Sequence, residues 1–345
     1  MSRPAHPSGA PRPGTRPRRA LVLAGVLVAS AASTPAATAA TVGDPIPVLA
    51  SLARPATMRT AGVAPTSTPF APASTTTTAA AATTADRSAT APADPFLAAG
   101  LPSRKAWTRA VRRTRSWAAS KGARLRFSLR VEKRTWSFRG SETTNSNSLI
   151  KATVLVAYVR RASVRRRALT RQEKALLSPM IRRSANEPVN PLLSRMGGVG
   201  PLRAVGRLVG MTHFRPRAGL WGASRISALD EVRLFHRLWR IIPPRHRTYA
   251  LGLLRSIVPS QRWGMPRSAP RGWRVTFKSG WNGSGRVNQA IRLNCKGRVI
   301  TASVLVDGSS HGGSIGLVEG AGRRLFAPLR ARGAKACSSV VRTAD

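Results

Sequence analysis

Strand patterns stand at both ends of residues 97–345, and helical patterns fill the region between them. Near the start, residues 124–131 (RLRFSLRV) alternate polar and apolar side chains, as in a strand with one buried face, and residues 136–138 continue as a hairpin partner. Three further strands are predicted near the end, at residues 274–278, 288–294 and 299–306. Because strands must pair, the two ends of this region have to meet in one sheet. The predicted fold is α+β, a mainly antiparallel five-stranded sheet flanked by helices, with a helical subdomain.

Five helices of this region carry identifiable signals. Residues 148–160 are apolar almost all round, which predicts a buried central helix. Thr170 with Glu173, and Ser227 with Asp230, have the spacing of capping boxes that open two more helices. Two outer helices are predicted at residues 103–121, ending at Gly122, and at residues 316–330.

The first 96 residues have a different character. Residues 1–40 predict an export signal, with an Arg-rich start, a short apolar core at 20–32 and a small-residue cleavage site at 37–39. Residues 41–96 are rich in Thr, Ala and Pro, and we interpret them as a flexible stalk. The globular domain is assigned to residues 97–340. The predicted location is extracytoplasmic, secreted or associated with the cell wall.

Charge limits the partners of this chain. It has 58 Lys and Arg residues against 12 Asp and Glu, a net charge of +46, and only eight of the cations are Lys. Such an excess is typical of polyanion binding. Export argues against nucleic acid, so we expect either anionic cell-wall polymers and anionic lipid surfaces as partners, or solvated Arg-rich faces with no partner at all. The domain is expected to be a monomer.

Cysteine and histidine usage indicates no metal site and no cofactor. The five His residues show no ligand spacing, and two Cys are too few for a four-Cys zinc site. Cys295 and Cys337 could pair in an oxidising compartment, and the sequence leaves this open.

One short pattern carries nucleophilic chemistry. Ser148 and Lys151 form the only S-x-x-K in the chain, at the start of the predicted buried helix. Positions three apart share one face of a helix, so the hydroxyl and the amine can approach each other. Burial favours the neutral amine, which can act as a base toward serine, whereas a guanidinium stays protonated. By itself, an S-x-x-K pattern is also common at the start of helices that have no catalytic role.

Two later segments strengthen the interpretation, namely SAN at residues 184–186 and KSG at residues 278–280. Together with Ser148-x-x-Lys151, they resemble the S-x-x-K, S-D-N and K-[TS]-G motifs of penicillin-binding and class A β-lactamase-like serine hydrolases. The resemblance covers roughly residues 100 to 335.

The resemblance implies a role for each matched residue. Ser148 would be the nucleophile, Lys151 its base, and Ser184 a proton relay to the leaving nitrogen. The backbone N–H groups of Ser148 and Trp281 would form the oxyanion hole. The substrate would be held by the remaining motif residues, Asn186, Lys278, Ser279 and Gly280.

The sequence departs from the family pattern at two places. Ala185 replaces the usual Asp of the second motif, which puts the local loop geometry in question. Class A β-lactamases use an acid after this motif to activate the deacylating water, yet no Asp or Glu occurs between Glu187 and Asp230. Asp230 and Glu231 are expected to serve as helix-start residues. His213 is a lone candidate base in the loop, and a solvated role for it is as reasonable.

The resemblance implies an exported serine hydrolase that forms an acyl-enzyme with peptidoglycan peptides or related amides. Slow deacylation, as in penicillin-binding peptidases, suits the missing acid. The alternatives are a β-lactamase that uses another base, and a catalytically idle wall-binding module. A G-x-S-x-G pattern at residues 308–312 lacks a later His, so we interpret it as a strand-to-helix turn rather than an esterase elbow.

Overall fold

The structure is a computed structural model that describes residues 94–332 and Cys337. The predicted signal, and all of the predicted stalk except its last three residues, lie outside the described residues. Among the described residues no helix is both long and apolar enough to span a bilayer.

In the part of the chain that the structure describes, seven strands form two sheets. They are β1 Arg124–Val131, β2 Arg134–Phe138, β3 Thr143–Asn145, β4 Arg225–Ser227, β5 Arg274–Trp281, β6 Arg286–Cys295 and β7 Arg298–Asp307. The main sheet has the order β2-β1-β7-β6-β5 with every neighbour antiparallel, and β3 pairs with β4 separately. The α+β prediction with a five-stranded antiparallel sheet is therefore confirmed, including the pairing of the first strand with the last.

Eleven α-helices are found in the described residues. They are α1 Pro95–Ala98, α2 Arg104–Ala119, α3 Lys151–Val159, α4 Arg171–Arg182, α5 Val189–Arg195, α6 Gly200–Leu208, α7 Ala228–Ile241, α8 Pro244–Arg255, α9 Met265–Ser268, α10 His311–Leu325 and α11 Ala327–Ala331. Short 3₁₀ turns lie at Asn147–Ile150, Trp221–Ala223 and Pro259–Gln261.

One face of the main sheet is apolar. The alternation in β1 sends Leu125, Phe127, Leu129 and Val131 to this face, where they share a core with Trp107 of α2 and with residues of α10. The second core, on the opposite side, contains α3, the helical region and part of α7. All nine residues of α3 are buried, as its unbroken apolar sequence predicts.

The opposite sheet face is polar where α7 covers it. Ser128 of β1 pairs in register with Ser303 of β7, and Thr301 lies two residues along the same strand. These residues and Glu231 of α7 are fully buried, and their side-chain oxygens have no hydrogen-bond partner among the described residues. We call this group the α7 polar layer.

Several predicted boundaries shift. The central helix begins as a 3₁₀ turn at Asn147–Ile150 before α3, and the helix predicted at 316–330 is two helices, α10 and α11, separated at Phe326. Pro328, which has no N–H to donate, sits at the start of α11. Helix α2, predicted at residues 103–121, ends at Ala119 with Ser120 as its C-cap, so the prediction of Gly122 as the C-cap was wrong. At the N-terminal edge Asp94 caps α1 and Phe96 is buried, so folded structure overlaps the predicted stalk end.

The two predicted capping boxes have different outcomes. Thr170 and Glu173 form both reciprocal bonds, which confirms the box at α4. At α7 the Ser227 hydroxyl accepts from the Asp230 N–H, but the Asp230 carboxylate turns to the backbone N–H groups of Thr212 and His213. The predicted capping box at α7 is therefore wrong for its second hydrogen bond, from the Ser227 N–H to the Asp230 side chain.

Cys295 and Cys337 form a disulfide with a Cα–Cα distance of 5.8 Å. This bond ties the segment after α11 to the end of β6. It resolves the pairing that the sequence leaves open.

Candidate active site

Strand β5 passes directly beneath the turn that carries Ser148. A Cβ atom added at Gly280 would lie 2.6 Å from the Ser146 carbonyl oxygen and 2.8 Å from the Ser148 amide nitrogen. Only glycine allows this approach. The third motif therefore lies against the first, as an oxyanion hole built from Ser148 and the next residue, Trp281, would require.

Ser148 is half-buried on the 3₁₀ turn before α3. The preceding residue, Asn147, has a left-handed backbone with φ of 49°. Such a conformation costs free energy in a non-glycine residue, and it is concentrated at functional sites. The turn thus holds Ser148 at the mouth of α3 in a fixed orientation.

Lys151 is fully buried, and its Nζ contacts three oxygen atoms. It is 2.8 Å from Ser148 Oγ, 2.5 Å from the Ser184 carbonyl oxygen and 2.7 Å from Asn186 Oδ1. The last two oxygens only accept hydrogen bonds. A neutral amine has two N–H groups and one lone pair, so its N–H groups satisfy these two acceptors. The lone pair is then left facing the Ser148 hydroxyl.

The pKa of Lys151 is set by burial. Desolvation lowers this pKa from 10.5 to about 8, and the negative charge of exposed Glu187 opposes the shift. The ring of Trp221 lies 5.0 Å from Nζ and also favours the ammonium form. A substantial fraction of Lys151 is consequently neutral at slightly alkaline pH.

Ser184 connects the two lysines. Its backbone is left-handed, with φ of 59°, and its carbonyl oxygen accepts from Lys151 while its Oγ accepts from Lys278 Nζ at 2.9 Å. The adjacent Ala185 N–H bonds to the Pro179 carbonyl oxygen, so the turn is closed without the usual Asp of the motif.

Lys278 is buried at the centre of β5 and donates to the Ser184 hydroxyl and to the Ser279 carbonyl oxygen. Burial, followed by the nearby charge of Lys151, lowers the pKa of Lys278 well below its usual value. The Ser279 hydroxyl is also buried and accepts from Gln289 Nε2 at 2.8 Å, which leaves its own proton free to donate.

The predicted residues of all three motifs thus lie in one connected site. Ser148, Lys151, Ser184 and Asn186 are joined by hydrogen bonds, and Lys278 extends the chain through Ser184. Within the part of the chain that the structure describes, no cluster of His, Cys, Asp or Glu could hold a metal ion.

Comparisons with known proteins agree with this arrangement. The model of the Beta-lactamase enzyme family matches residues 170–327, which include the second and third motifs. Over these residues the chain is similar to the β-lactamase-like serine hydrolase family. As an enzyme it is a serine hydrolase of the β-lactamase type, since it combines this family match with the fold described above.

Solved structures similar to the β-lactamase-like domain include a class A β-lactamase from Mycobacterium abscessus, at 19% identity and a TM-score of 0.56, covering 65% of this chain and 100% of that one. PBP-A is similar at 17% identity and a TM-score of 0.56, covering 65% and 97%. A β-lactamase from Streptosporangium roseum has 18% identity and the same TM-score, covering 65% and 99%. At these identities the likeness shows the fold. No curated protein sequence matches the chain significantly.

A loop of the β-lactamase-like domain, residues 211–226, covers Lys151, and we call it the strap. Its two arms are joined by backbone bonds between Arg215 and Arg225, and its base is fixed by Asp230. Its tip presents Trp221 to Lys151. Local sequence signals do not predict this contact, because it joins residues far apart in the chain.

His213 lies at the base of the strap, where its Nδ1 is 3.0 Å from Thr212 Oγ1 and 3.8 Å from Asp230 Oδ2. Glu231 lies in the first turn of α7, as expected, and it is fully buried. Desolvation, followed by the charge of Asp230, raises the pKa of the Glu231 carboxyl well above its usual value.

Proposed function

We propose that the β-lactamase-like domain forms an acyl-enzyme at Ser148 with D-alanyl peptides of peptidoglycan or related amides, and that β-lactams acylate the same residue as mimics. The observation that carries this proposal is the Lys151 Nζ atom. It is buried, lies 2.8 Å from Ser148 Oγ, and has two obligate acceptors on its remaining sides.

In the acylation step, Ser148 Oγ attacks the carbonyl carbon of the amide, and its proton passes to the Lys151 lone pair. The C–N bond breaks as Ser184 gives its hydroxyl proton to the departing nitrogen. The Ser184 Oγ then recovers a proton through Lys278, which lies 2.9 Å away. The backbone N–H groups of Ser148 and Trp281 stabilise the oxyanion that develops between these events.

Substrate binding is assigned to the residues around this pair. Lys278 and the Ser279 hydroxyl proton would receive a substrate carboxylate, whose charge restores the ammonium form of Lys278. Asn186 would hold the substrate amide with its Nδ2, since its Oδ1 is bonded to Lys151.

Slow deacylation is proposed because the strap offers no carboxylate. The chain has no Asp or Glu between Glu187 and Asp230, and the strap residue over Lys151 is Trp221. An acyl-enzyme at Ser148 would therefore lack an acidic base for the incoming water.

Intact-mass measurement of the full-length chain with benzylpenicillin tests the proposal. We expect a stable adduct that is absent in Ser148→Ala and present in Ser310→Ala, which removes the serine of the G-x-S-x-G pattern. Loss of the drug without a lasting adduct would instead indicate a β-lactamase. If neither an adduct nor turnover is observed, with benzylpenicillin or with a D-alanyl-D-alanine peptide, the proposal is contradicted and a wall-binding module is favoured.

We further propose that the domain works outside the cytoplasm. The Cys295–Cys337 disulfide supports this location, because such bonds persist in oxidising compartments. Expression of the full chain in a secreting bacterial host should give a protein whose mass matches cleavage after Ala39. Retention of an unprocessed chain in the cytoplasm would contradict it.

A further inference from the structure

Four arginines converge on one cavity beside the Ser148 turn. The cavity has a volume of about 660 Å³, and its lining includes Arg203 of α6, Arg215 and Arg217 of the strap, Arg225 of β4, and Asn145. We call it the arginine cavity.

Two of these arginines form a fixed wall. Arg225 donates to Thr143 Oγ1, to the Thr143 carbonyl oxygen and to Asn145 Oδ1, at 2.8 to 3.2 Å. Arg215 donates to the carbonyl oxygens of Thr212 and Phe214. All of these acceptors are neutral, so the two positive charges are held in place but not compensated.

The other two arginines are available. Within the described residues, the guanidinium groups of Arg203 and Arg217 have no hydrogen-bond or ion-pair partner. Both side chains are exposed at the cavity. Each can present a planar pair of N–H groups to an oxyanion.

Among the residues that the structure describes, no carboxylate lines the arginine cavity. A second Arg-rich groove lies between α2 and the last helices, where Arg323 pairs with Glu319 and Arg324 covers the Trp117 ring, so two of its arginines are engaged with partners. The arginine cavity combines fixed positive charge, free donors and an absence of acid.

We propose that the arginine cavity is an anion-binding subsite that takes a phosphate or carboxylate group. Such groups occur on cell-wall polymers and on peptides, and both match the guanidinium fork. Asn145 of its lining lies three residues before Ser148, and the strap that supplies Arg215 and Arg217 also carries Trp221 over Lys151. Its role as a subsite of the hydrolase rests on the proposed function, whereas anion binding itself does not.

Titration of the full-length chain with pyrophosphate, and separately with tricarballylate, tests the proposal at constant ionic strength. The readout is calorimetric affinity together with backbone amide shifts of residues 143–145 and 215–225. Arg203→Gln with Arg217→Gln should weaken binding of the preferred anion at least tenfold. The control variant, Arg112→Gln with Arg166→Gln, removes an equal number of positive charges from exposed positions outside the cavity. It should change the affinity less than twofold.

Stronger binding of pyrophosphate would support a phosphate-bearing ligand, and stronger binding of tricarballylate a carboxylate-bearing one. Equal weakening in the two double variants, or the absence of saturable binding, would overturn the proposal, because attraction would then come from the whole surface. Benzylpenicillin acylation of Ser148 is measured in the same variants. Anion binding without acylation in the parent chain would contradict the proposed function and leave the anion site intact.

Discussion

The Ser148 site and the α7 polar layer are both buried polar regions, but they differ in how their atoms are paired. At the Ser148 site, both lysine amines lie within 3 Å of oxygen acceptors supplied by neighbouring elements. In the α7 polar layer, the Glu231 carboxyl and the hydroxyls of Ser128, Thr301 and Ser303 have no partner among the described residues.

This difference separates two uses of a buried ionisable group. The partners of Lys151 fix its geometry and leave one lone pair for chemistry, so burial there tunes reactivity. Glu231 has no comparable set of donors, so its burial penalises the ionised form and opposes folding.

The largest effect is expected from Lys151→Arg. A guanidinium stays protonated, so acylation of Ser148 by benzylpenicillin should fall by about 10²–10⁴-fold, the usual contribution of a positioned base. Stopped-flow or mass-based acylation rates measure it. Lys174→Arg, an exposed change on α4, is the control and should retain the parent rate. An acylation rate in Lys151→Arg within tenfold of the parent would show that another group accepts the proton.

The pH dependence of acylation should follow the neutral fraction of Lys151. Because the pKa of Lys151 is about 8, the second-order rate constant should rise about tenfold per pH unit below this value and level off above it. Measurement from pH 5.5 to 9.5 gives the midpoint. A rate that is flat across this range would contradict the assignment of Lys151 as base.

Replacement of Glu231 should stabilise the fold. Glu231→Met keeps a side chain of similar length and removes the unpartnered carboxyl, so the free energy of unfolding at pH 8 should increase by about 1–3 kcal/mol. The folded-state pKa of Glu231 is raised, so the parent loses stability as the pH rises above about 4.5. This loss should be absent in Glu231→Met, as measured by denaturant unfolding from pH 4 to 8.

Glu173 is the matched control for that experiment. This carboxylate is also buried, but Arg167, Thr170 and Tyr158 donate to it, and the Arg167 bond foremost lowers its pKa to about 2. Its stabilising contribution is present above pH 4.5 and is lost as the pH falls toward 2. Glu173→Gln should therefore destabilise at neutral pH, and the same sign for both variants would contradict the contrast.

The smallest effect is expected from Trp221→Leu. Leucine keeps an apolar cover over Lys151 but removes the aromatic face that stabilises the ammonium, a contribution of about 0.5–1 kcal/mol. The midpoint of the acylation profile should move about half a pH unit lower. Trp239→Leu, which removes a similar contact with Arg247 on the exposed side of α7, should leave the midpoint unchanged.

The elements that local patterns describe were predicted well. The alternation in residues 124–131, the apolar run of α3 and the Thr170 capping box depend on neighbours in the chain, and all three are present. The contacts of side chains that can bond either to neighbours in the chain or to distant residues were not predicted.

Asp230 has the spacing for a local cap, yet its carboxylate bonds to the base of the strap. The contact of Trp221 with Lys151 and the burial of Glu231 likewise depend on tertiary packing. Four arginines scattered over residues 203–225 give no local signal of a shared cavity.

The order of strands in the main sheet also has a consequence for how the chain reaches its native state. Strand β1 is the first strand in the chain, and it lies between β2 and β7 in the sheet. Strand β7 is the last strand among the described residues. The pairing Leu129 with Ala302 closes a loop that contains the helical region and both β5 and β6. Domains dominated by such distant pairings fold slowly. A chain synthesised from its N-terminus therefore cannot complete the main sheet until β7, which follows the helical region, β5 and β6, has also been made.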